Sequence, residues 1–471
     1  MFRKKDKKDK APVKNSARIG VKKFWAWESR ELSDAGFMFL VGYIVFYCTD
    51  VVHVNALLVG TLIAISKIID GVTDVIFGYI VDRTNTKIGR GRPYDLCLIG
   101  AWISAVLLFS CPQGFSETAR IVWIVFWYIL ANAVFYTFLN AGEKIFMLRA
   151  FNHDQLVRMT SLGSVATSLL GLSCGILIPQ LVERSGKDPF AWSRMAIILG
   201  IVYTAIGLCR FLFVKEKMDN EEDNLIDEKK EEEKLELKEV FLMLRKNKYW
   251  VLYCIIALIS NIVTNMGVGV YYFDKVLNNI GVQSIFAALS ALAVFALVFL
   301  PQLMKRFNVR QILMGGLLIS IAASLISFIF YRNIPVLVAM YVINMAATVP
   351  GVYVVNLILF DNAIYNEYLG LHRMEGSMGS VNGFMRRAGG ALGTFLLGVA
   401  LTVIGYDSEA ATISAGTIMG LRVIMYGLPI LSAAVQLIIW KFYDLEERMP
   451  EIKDALAKRG TPVEDAPEEI I

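Results

Sequence analysis

Metal and thiol chemistry has little to work with in this chain. Its 471 residues include only three histidines, His53, His153 and His372, and these are scattered. The six cysteines, Cys48, Cys97, Cys111, Cys174, Cys209 and Cys254, form no CxxC pair. All fall in or beside apolar runs, so they read as small buried hydrophobes rather than disulfides or metal ligands. A zinc or haem site is thereby disfavoured. Charge is scarce too, at 19% of residues against 56% hydrophobic. The net charge of +5 comes from loops and tails and implies no nucleic-acid partner. Phosphate-cradling glycine loops, paired catalytic carboxylates and nucleophile–histidine arrangements are missing, so the chain is expected to be neither an enzyme nor a cofactor carrier. No cleavable signal peptide is expected, because MFRKKDKKDKAPVKNSARIGVKK is a basic stretch with no apolar core before about Ala35.

What is present is hydrophobic length. Apolar runs of about 18 to 25 residues recur, long enough to cross a bilayer as helices. Candidate spans are 35–52, 55–81, 95–112, 119–142, 160–182, 195–214, 250–273, 283–304, 311–330, 335–359, 377–404 and 416–442. Residues 215–249, with MDNEEDNLIDEKKEEEKLELKEV at their centre, divide six spans from six and read as a solvated linker. Leu237, Val240, Phe241 and Leu244 near its end have helical spacing, which predicts a short surface helix. The expected organisation is a basic tail (1–33), a six-helix bundle (34–214), the linker, a second six-helix bundle (250–443) and a polar, mobile tail (444–471). Such doubling suits a transporter whose halves rock about a central site. Arg83, Lys87, Arg90 and Arg92 fill the second-to-third loop, and Lys305, Arg306 and Arg310 the eighth-to-ninth. Alternate loops are poorer in Lys and Arg, although Arg184, Lys187 and Arg194 break the trend. This bias places both termini in the cytoplasm and the protein in the plasma membrane.

One segment carries the chemistry: SKIIDGVTDVIFGYIVDRTNTKIGRGRPYD, residues 66–95. Lys67, Asp70 and Asp74 lie at i, i+3 and i+7, which puts them on one helical stripe. Each costs roughly 2.5–3.5 kcal/mol at a helix centre in a membrane. Three on one stripe are expected to face a polar cavity. The plainer readings are a buried structural ion pair that only locks two helices together, or internal pairing of Lys67 with Asp70.

Gly78-Tyr79-Ile80-Val81-Asp82-Arg83, followed by Lys87, Gly89, Arg90 and Arg92, resembles the loop signature of the major facilitator superfamily. The longer block DGVTDVIFGYIVDRTNTKIGRGRPY is similar to the hallmark of the glycoside–pentoside–hexuronide:cation symporters, the melibiose-permease-like family. Further blocks agree: Asp34 and Asp50 on the first span, Tyr136-Thr137-Phe138-Leu139-Asn140 on the fourth, and Asp361 to Glu367 with Gly370, Arg373, Glu375 and Gly376. Arg387 stands where the family usually has lysine on the eleventh helix.

The resemblance implies an all-α major facilitator fold of about twelve transmembrane helices in two bundles, and cation-coupled symport of a sugar or glycoside. It implies a cation site at Asp70 and Asp74, with Asn140 at a position that is aspartate in the family's best-known member and Thr73 as a hydroxyl donor nearby. It implies substrate contacts from Asp34, Lys67, Tyr136, Asn140 and Arg387. Asp82, Arg83, Asp361, Glu367, Arg373 and Glu375 are implied in gating. The coupling ion is Na+ or H+, and lipid is the other partner. Lys144, where a sugar-stacking aromatic is known in the family, departs from the pattern, as does Glu143 beside it. Lys67, Lys144 and Arg387 together would favour an anionic sugar such as a uronide. Internal pairing of Glu143 with a neighbouring cation would instead leave a neutral glycoside ahead. A proton-coupled exporter of the same superfamily is a further reading.

Overall fold

Polar caps mark where the apolar runs become helices. Asn55 Oδ1 accepts from the amides of Leu57 and Leu58 at 2.9 and 3.3 Å. Asn247 accepts from Trp250 at 2.9 Å, and Ser414 from Thr417 at 3.0 Å. Asp188 caps a helix that opens with Pro189. Each cap satisfies amides that a first turn leaves open. This computed structural model describes residues 19–151, 153–216, 243, 245–293, 300–371, 375–408 and 413–459. Some side chains within its helices, among them those of Asp74, Asp82, Lys144 and Glu375, also lie outside the described set.

The described residues form twelve rods, a surface helix and shorter helical turns such as His153–Arg158, with no strand among them. The first half comprises α1 (Val21–Val51), α2 (Ala56–Asp82), α3 (Cys97–Leu108), α4 (Glu117–Met147), α5 (Ser164–Ser185) and α6 (Pro189–Phe213). The second comprises α7 (Lys248–Lys275), α8 (Val282–Ala293) and α9 (Val309–Ile329). It continues with α10 (Ile334–Tyr353, extended by Val355–Tyr368) and α11 (Glu375–Val403). Last comes α12 (Ala415–Arg422 and Leu428–Lys441, joined by a π turn at Val423–Gly427). Among the described residues, eight helices are long and apolar enough to cross a membrane. Exposed Ile198, Ile201, Leu212, Phe213, Leu431 and Ile438 give their outer surfaces an apolar character suited to lipid.

Both ends of the chain hold more structure than expected. Helix α1 starts at Val21, within the stretch read as a tail, because Trp27 is buried and the charges of Glu28 and Arg30 find partners inside the bundle. After α12, Leu445–Lys458 forms α13, where a polar tail was expected. Leu445, Met449, Ile452 and Leu456 are buried along one face, and that stripe docks the helix. Leu237, Val240, Phe241 and Leu244, the expected surface helix, lie outside the described residues, as does most of the linker.

The two halves meet tightly on the face carrying the α1–α2 loop. There the larger apolar core runs without a break from Tyr47 and Val51 to Tyr271, Phe286, Leu401 and Tyr426. Glycine makes the closest crossing. A Cβ on Gly398 of α11 would sit 2.5 Å from Ala56 O, and one on Gly60 of α2 would sit 2.9 Å from Thr394 O. Only glycine lets these backbones approach so far.

Candidate functional site: a polar cavity between the halves

A cavity of about 580 Å³ lies where α2 and α4 face α7 and α11. Lys67 and Asp70 reach it from α2, Tyr136 and Asn140 from α4, and Arg386 and Arg387 from α11. Asn132, Thr137, Asn261 and Asn265 add amide and hydroxyl groups to the wall. Such a volume falls in the roughly 300–1,000 Å³ range of small-molecule sites.

The helices are locally shaped for this. Leu130–Tyr136 of α4 forms a π segment. Asn132 and Tyr136 of this segment line the cavity with Thr137 just after it, and such distortions recur at functional sites. Tyr136 is fixed by stacking on Phe37 at 5.1 Å between ring centres. Lys67 spans the interface: its Nζ donates to Gly390 O at 3.0 Å and to Thr394 Oγ1 at 2.9 Å, both on α11. The lysine therefore bridges the two halves, which the reading as a simple Lys67–Asp70 pair does not include.

Several expected residues sit elsewhere. Thr73 does not line the cavity; its Oγ1 donates to Asp70 O in its own helix at 3.1 Å. Thr137, quoted in the fourth-span motif but given no role there, lines the wall. Asp34 pairs with Arg30 one turn away on α1 and does not line the cavity. Glu143 pairs with Arg210 Nη1 at 3.2 Å. Both belong to a buried knot inside the first half, in which ligand atoms of Glu31, Asp34 and Glu143 lie within 4.8 Å of one another. Arg210, fully buried, also holds Asp95 through two bonds of 2.6 and 3.1 Å and lies over the Trp27 ring. Arg30, Glu31, Asp95 and Arg210 were missed in the sequence. All four lie outside the mid-helix stripe, and apart from the i, i+4 pair of Arg30 with Asp34 no short-range spacing announces that they converge. The side chains of Asp74 and Lys144 lie outside the described residues.

An ionic lock closes the α1–α2 loop face. Asp50, fully buried at the π-helical end of α1, accepts from Tyr406 Oη at 2.8 and 3.0 Å and from Lys187 Nζ at 2.9 Å. Lys275 Nζ stands 3.8 Å away. Lys187 belongs to the first half, while Lys275 and Tyr406 belong to the second. Tyr43 Oη–Gln283 Oε1 at 2.8 Å and Ser284 Oγ–Ile176 O at 2.7 Å join the halves on the same side.

The opposite face carries two matching clamps, each within one half. Glu216, following α6, accepts from the amides of Arg90, Gly91 and Arg92 at 2.9–3.1 Å. Glu446, following α12, accepts from Val309 and Arg310 at 2.9 and 3.2 Å. Arg92 donates to Phe211 O, and Arg310 to Trp440 O and Lys441 O. Of the residues expected in gating, Arg83 is exposed at the end of α2, and Asp361 and Glu367 lie half-buried on the extension of α10. Burial and the nearby Glu446 carboxylate push the Asp361 carboxyl up to about 7, against a smaller opposing pull from Lys453. Arg373 and the side chains of Asp82 and Glu375 lie outside the described residues.

Comparison with known proteins agrees with this architecture. Residues 35–447 match the family model described as MFS/sugar transport protein. The chain is 27% identical over 418 residues to the uncharacterized symporter YnaJ of Bacillus subtilis, covering 86% of this chain and 88% of that one. It is 24% identical over 459 residues to the isoprimeverose transporter of Lactiplantibacillus pentosus, covering 94% of each. It is 24% identical over 431 residues to the glucuronide carrier protein homolog of Escherichia coli, covering 88% of this chain and 90% of that one. The crystal structure of a bacterial homolog of the lysosomal transporter Spinster, inward-facing and occupied, superposes with a TM-score of 0.61 at 13% identity, over 94% of this chain and 98% of that one. That likeness speaks to the fold alone. With the two helical halves, the polar cavity between them and a match across most of the sequence, the chain is a member of the MFS/sugar transport protein family, in the major facilitator superfamily.

Proposed function

We propose that the protein is a secondary active symporter that couples cation entry to uptake of a sugar or glycoside through alternating access. The observation that carries this is the cavity between the halves, with Lys67 and Asp70 on one side and Arg386 and Arg387 on the other. Asp70, with Asn140 and Thr137 on the neighbouring helix, supplies oxygens suited to Na+; a desolvated carboxylate there would equally take a proton. Either cation lowers the charge on α2 and so the cost of enclosing the site, which links its binding to closure. Sugar hydroxyls would bond to Asn132, Asn140, Asn261 and Asn265, with the Tyr136 ring against the sugar face. The basic loop residues Arg83, Lys87, Arg90 and Arg92 support the reading that both termini lie on the cytoplasmic side of the plasma membrane. On that orientation the Asp50 lock shuts the outer face, and the state described here is inward-facing.

A second reading has specific support. Glu143 is engaged by Arg210 and Asp34 by Arg30, both away from the cavity. The described wall then carries Lys67, Arg386 and Arg387 against Asp70, a balance that suits an anionic sugar such as a uronide. Proteoliposome uptake of radiolabelled xylosides, galactosides and glucuronides, driven by an inward Na+ gradient or an inward H+ gradient, tests both. Concentrative uptake of a neutral glycoside supports the first reading, and glucuronide-selective uptake the second. Outward transport alone would replace both with an exporter.

A further inference from the structure

A second cavity, of about 480 Å³, opens inside the later half between α7, α9, α10, α11 and α12. It adjoins the cavity between the halves, because Asn261 and Arg386 line both. Its character differs. Leu313, Leu317, Val355, Ile358 and Trp440 give its wall an apolar stretch, where the first cavity is lined by lysine, arginine, aspartate and amides. Its polar groups are mostly occupied: Ser260 donates to Gln436 Oε1 at 3.1 Å, and Gln436 Nε2 donates to Ser432 Oγ at 2.9 Å. One is not. Asn382 Oδ1, on α11 one turn from Arg386, is shielded from solvent and accepts no hydrogen bond among the described residues. A buried acceptor left open costs about 1–3 kcal/mol, so a donor from a ligand would be favoured there.

Resting on the proposed sugar transport, we infer that this second cavity seats the aglycone of the substrate, an aromatic ring bearing a hydroxyl. The sugar lies in the cavity between the halves, and the ring passes Asn261 and Arg386 into the later half. There the apolar wall excludes water from its faces and Asn382 Oδ1 accepts its hydroxyl. The site therefore favours hydroxyaryl glycosides over bare sugars.

Competition binding on the purified full-length protein in nanodiscs tests this. The probes are methyl, phenyl and 4-hydroxyphenyl glycosides of whichever sugar, xylose, galactose or glucuronic acid, wins the uptake panel. Phenyl is expected to bind about tenfold or more tighter than methyl, and 4-hydroxyphenyl tighter again. Leu317→Trp, which fills the cavity, should abolish both gains and leave methyl glycoside affinity unchanged; Thr348→Phe fills the same space from α10. Asn382→Leu should remove only the step from phenyl to 4-hydroxyphenyl. Equal affinities for methyl and phenyl glycosides, or a phenyl gain that survives both filling substitutions, would overturn the inference. Absence of uptake for every sugar and glycoside would instead defeat the symporter reading beneath it, so the two failures are separable.

Discussion

Asp50 offers the sharpest test of how the two halves separate. Its carboxylate is fully buried and receives Tyr406, Thr49 at 2.9 Å, Lys187 and, further off, Lys275. Replacing it with asparagine keeps the shape and removes the anion that faces both ammonium groups, leaving Lys275 with Asp274 at 3.4 Å. Breaking a buried ion pair from one side costs about 3–5 kcal/mol. Lys187 keeps 39% of its side-chain surface exposed, so water offsets part of its loss, whereas Lys275 keeps only 12%. A net cost of about 2–3 kcal/mol follows. In the open state these groups are hydrated, so the whole cost falls on the closed face. That corresponds to a shift of roughly 30- to 150-fold toward opening. Spin labels on Glu117→Cys and Thr402→Cys, in a background whose native cysteines are replaced, would report the separation across this face by double electron–electron resonance. Asp50→Asn should add or enlarge a long-distance population, and Tyr406→Phe, which removes a neutral donor, should move it less. An unchanged distribution in Asp50→Asn would refute the lock.

Three further outcomes follow from the same geometry. Asp70→Asn should abolish cation-driven accumulation while exchange of substrate across the membrane survives; full concentrative uptake by that variant would remove Asp70 from coupling. The Asp361 carboxyl, raised to about 7 from an ordinary value of 3.8, holds its proton in the folded protein more tightly than in the unfolded chain. Stability should therefore fall as pH rises from about 4 to about 7 and level off above, by at most about 4 kcal/mol; Asp361→Asn should flatten the thermal-unfolding profile between about pH 5 and pH 8, and parallel profiles would contradict this. Glu216→Gln weakens charge-assisted bonds to three amides, and a loss of about 1.5–3 kcal/mol in unfolding free energy is expected, with little change in substrate affinity.

Run length and the charge stripe made much of the fold and part of the site legible. The apolar runs mark the rods because a membrane-spanning chain must satisfy its backbone within each helix, and this leaves a continuous signature. Lys67, Asp70, Tyr136, Asn140 and Arg387 line one cavity because each lies on a helix whose polar face could be recognised locally. Asp34 was read toward the substrate but folds into the Arg30–Arg210 knot, and Glu143 takes the internal pairing with a neighbouring cation that was one of its two readings. Arg30 and Asp34 are an i, i+4 pair within α1, but the partners supplied by α6 and the segment before α3 are encoded by no pattern within one helix. Thr137 lines the wall with Asn140 three residues on, whereas Thr73 turns its hydroxyl back onto its own helix. The α13 stripe of Met449, Ile452 and Leu456 was legible at helical spacing, and the charges between them obscured it.

The distribution of bonds says where motion is possible. Glu216 and Glu446 tie loops to helix ends at equivalent places in the two halves, and the Arg210 knot braces α1, α4 and α6 from within. These contacts stay inside one half, so each half can move as a body without breaking them. The contacts that join the halves are of another kind. They include the Asp50 lock, the Tyr43–Gln283 and Ser284–Ile176 bonds beside it, the glycine crossing of α2 and α11, and Lys67 bonded to Gly390 O and Thr394 Oγ1. Lys67 lies one turn from Asp70 and bridges to α11 at the edge of the cavity, so whatever neutralises Asp70 alters the field on the bridge. A cation beside Asp70 repels the Lys67 ammonium and adds to its pull toward the α11 oxygens, favouring the joined arrangement. Lys67→Met should therefore leave substrate binding measurable but weaken the effect of the coupling cation on it. Retention of full cation stimulation in that variant would place the coupling elsewhere than this bridge.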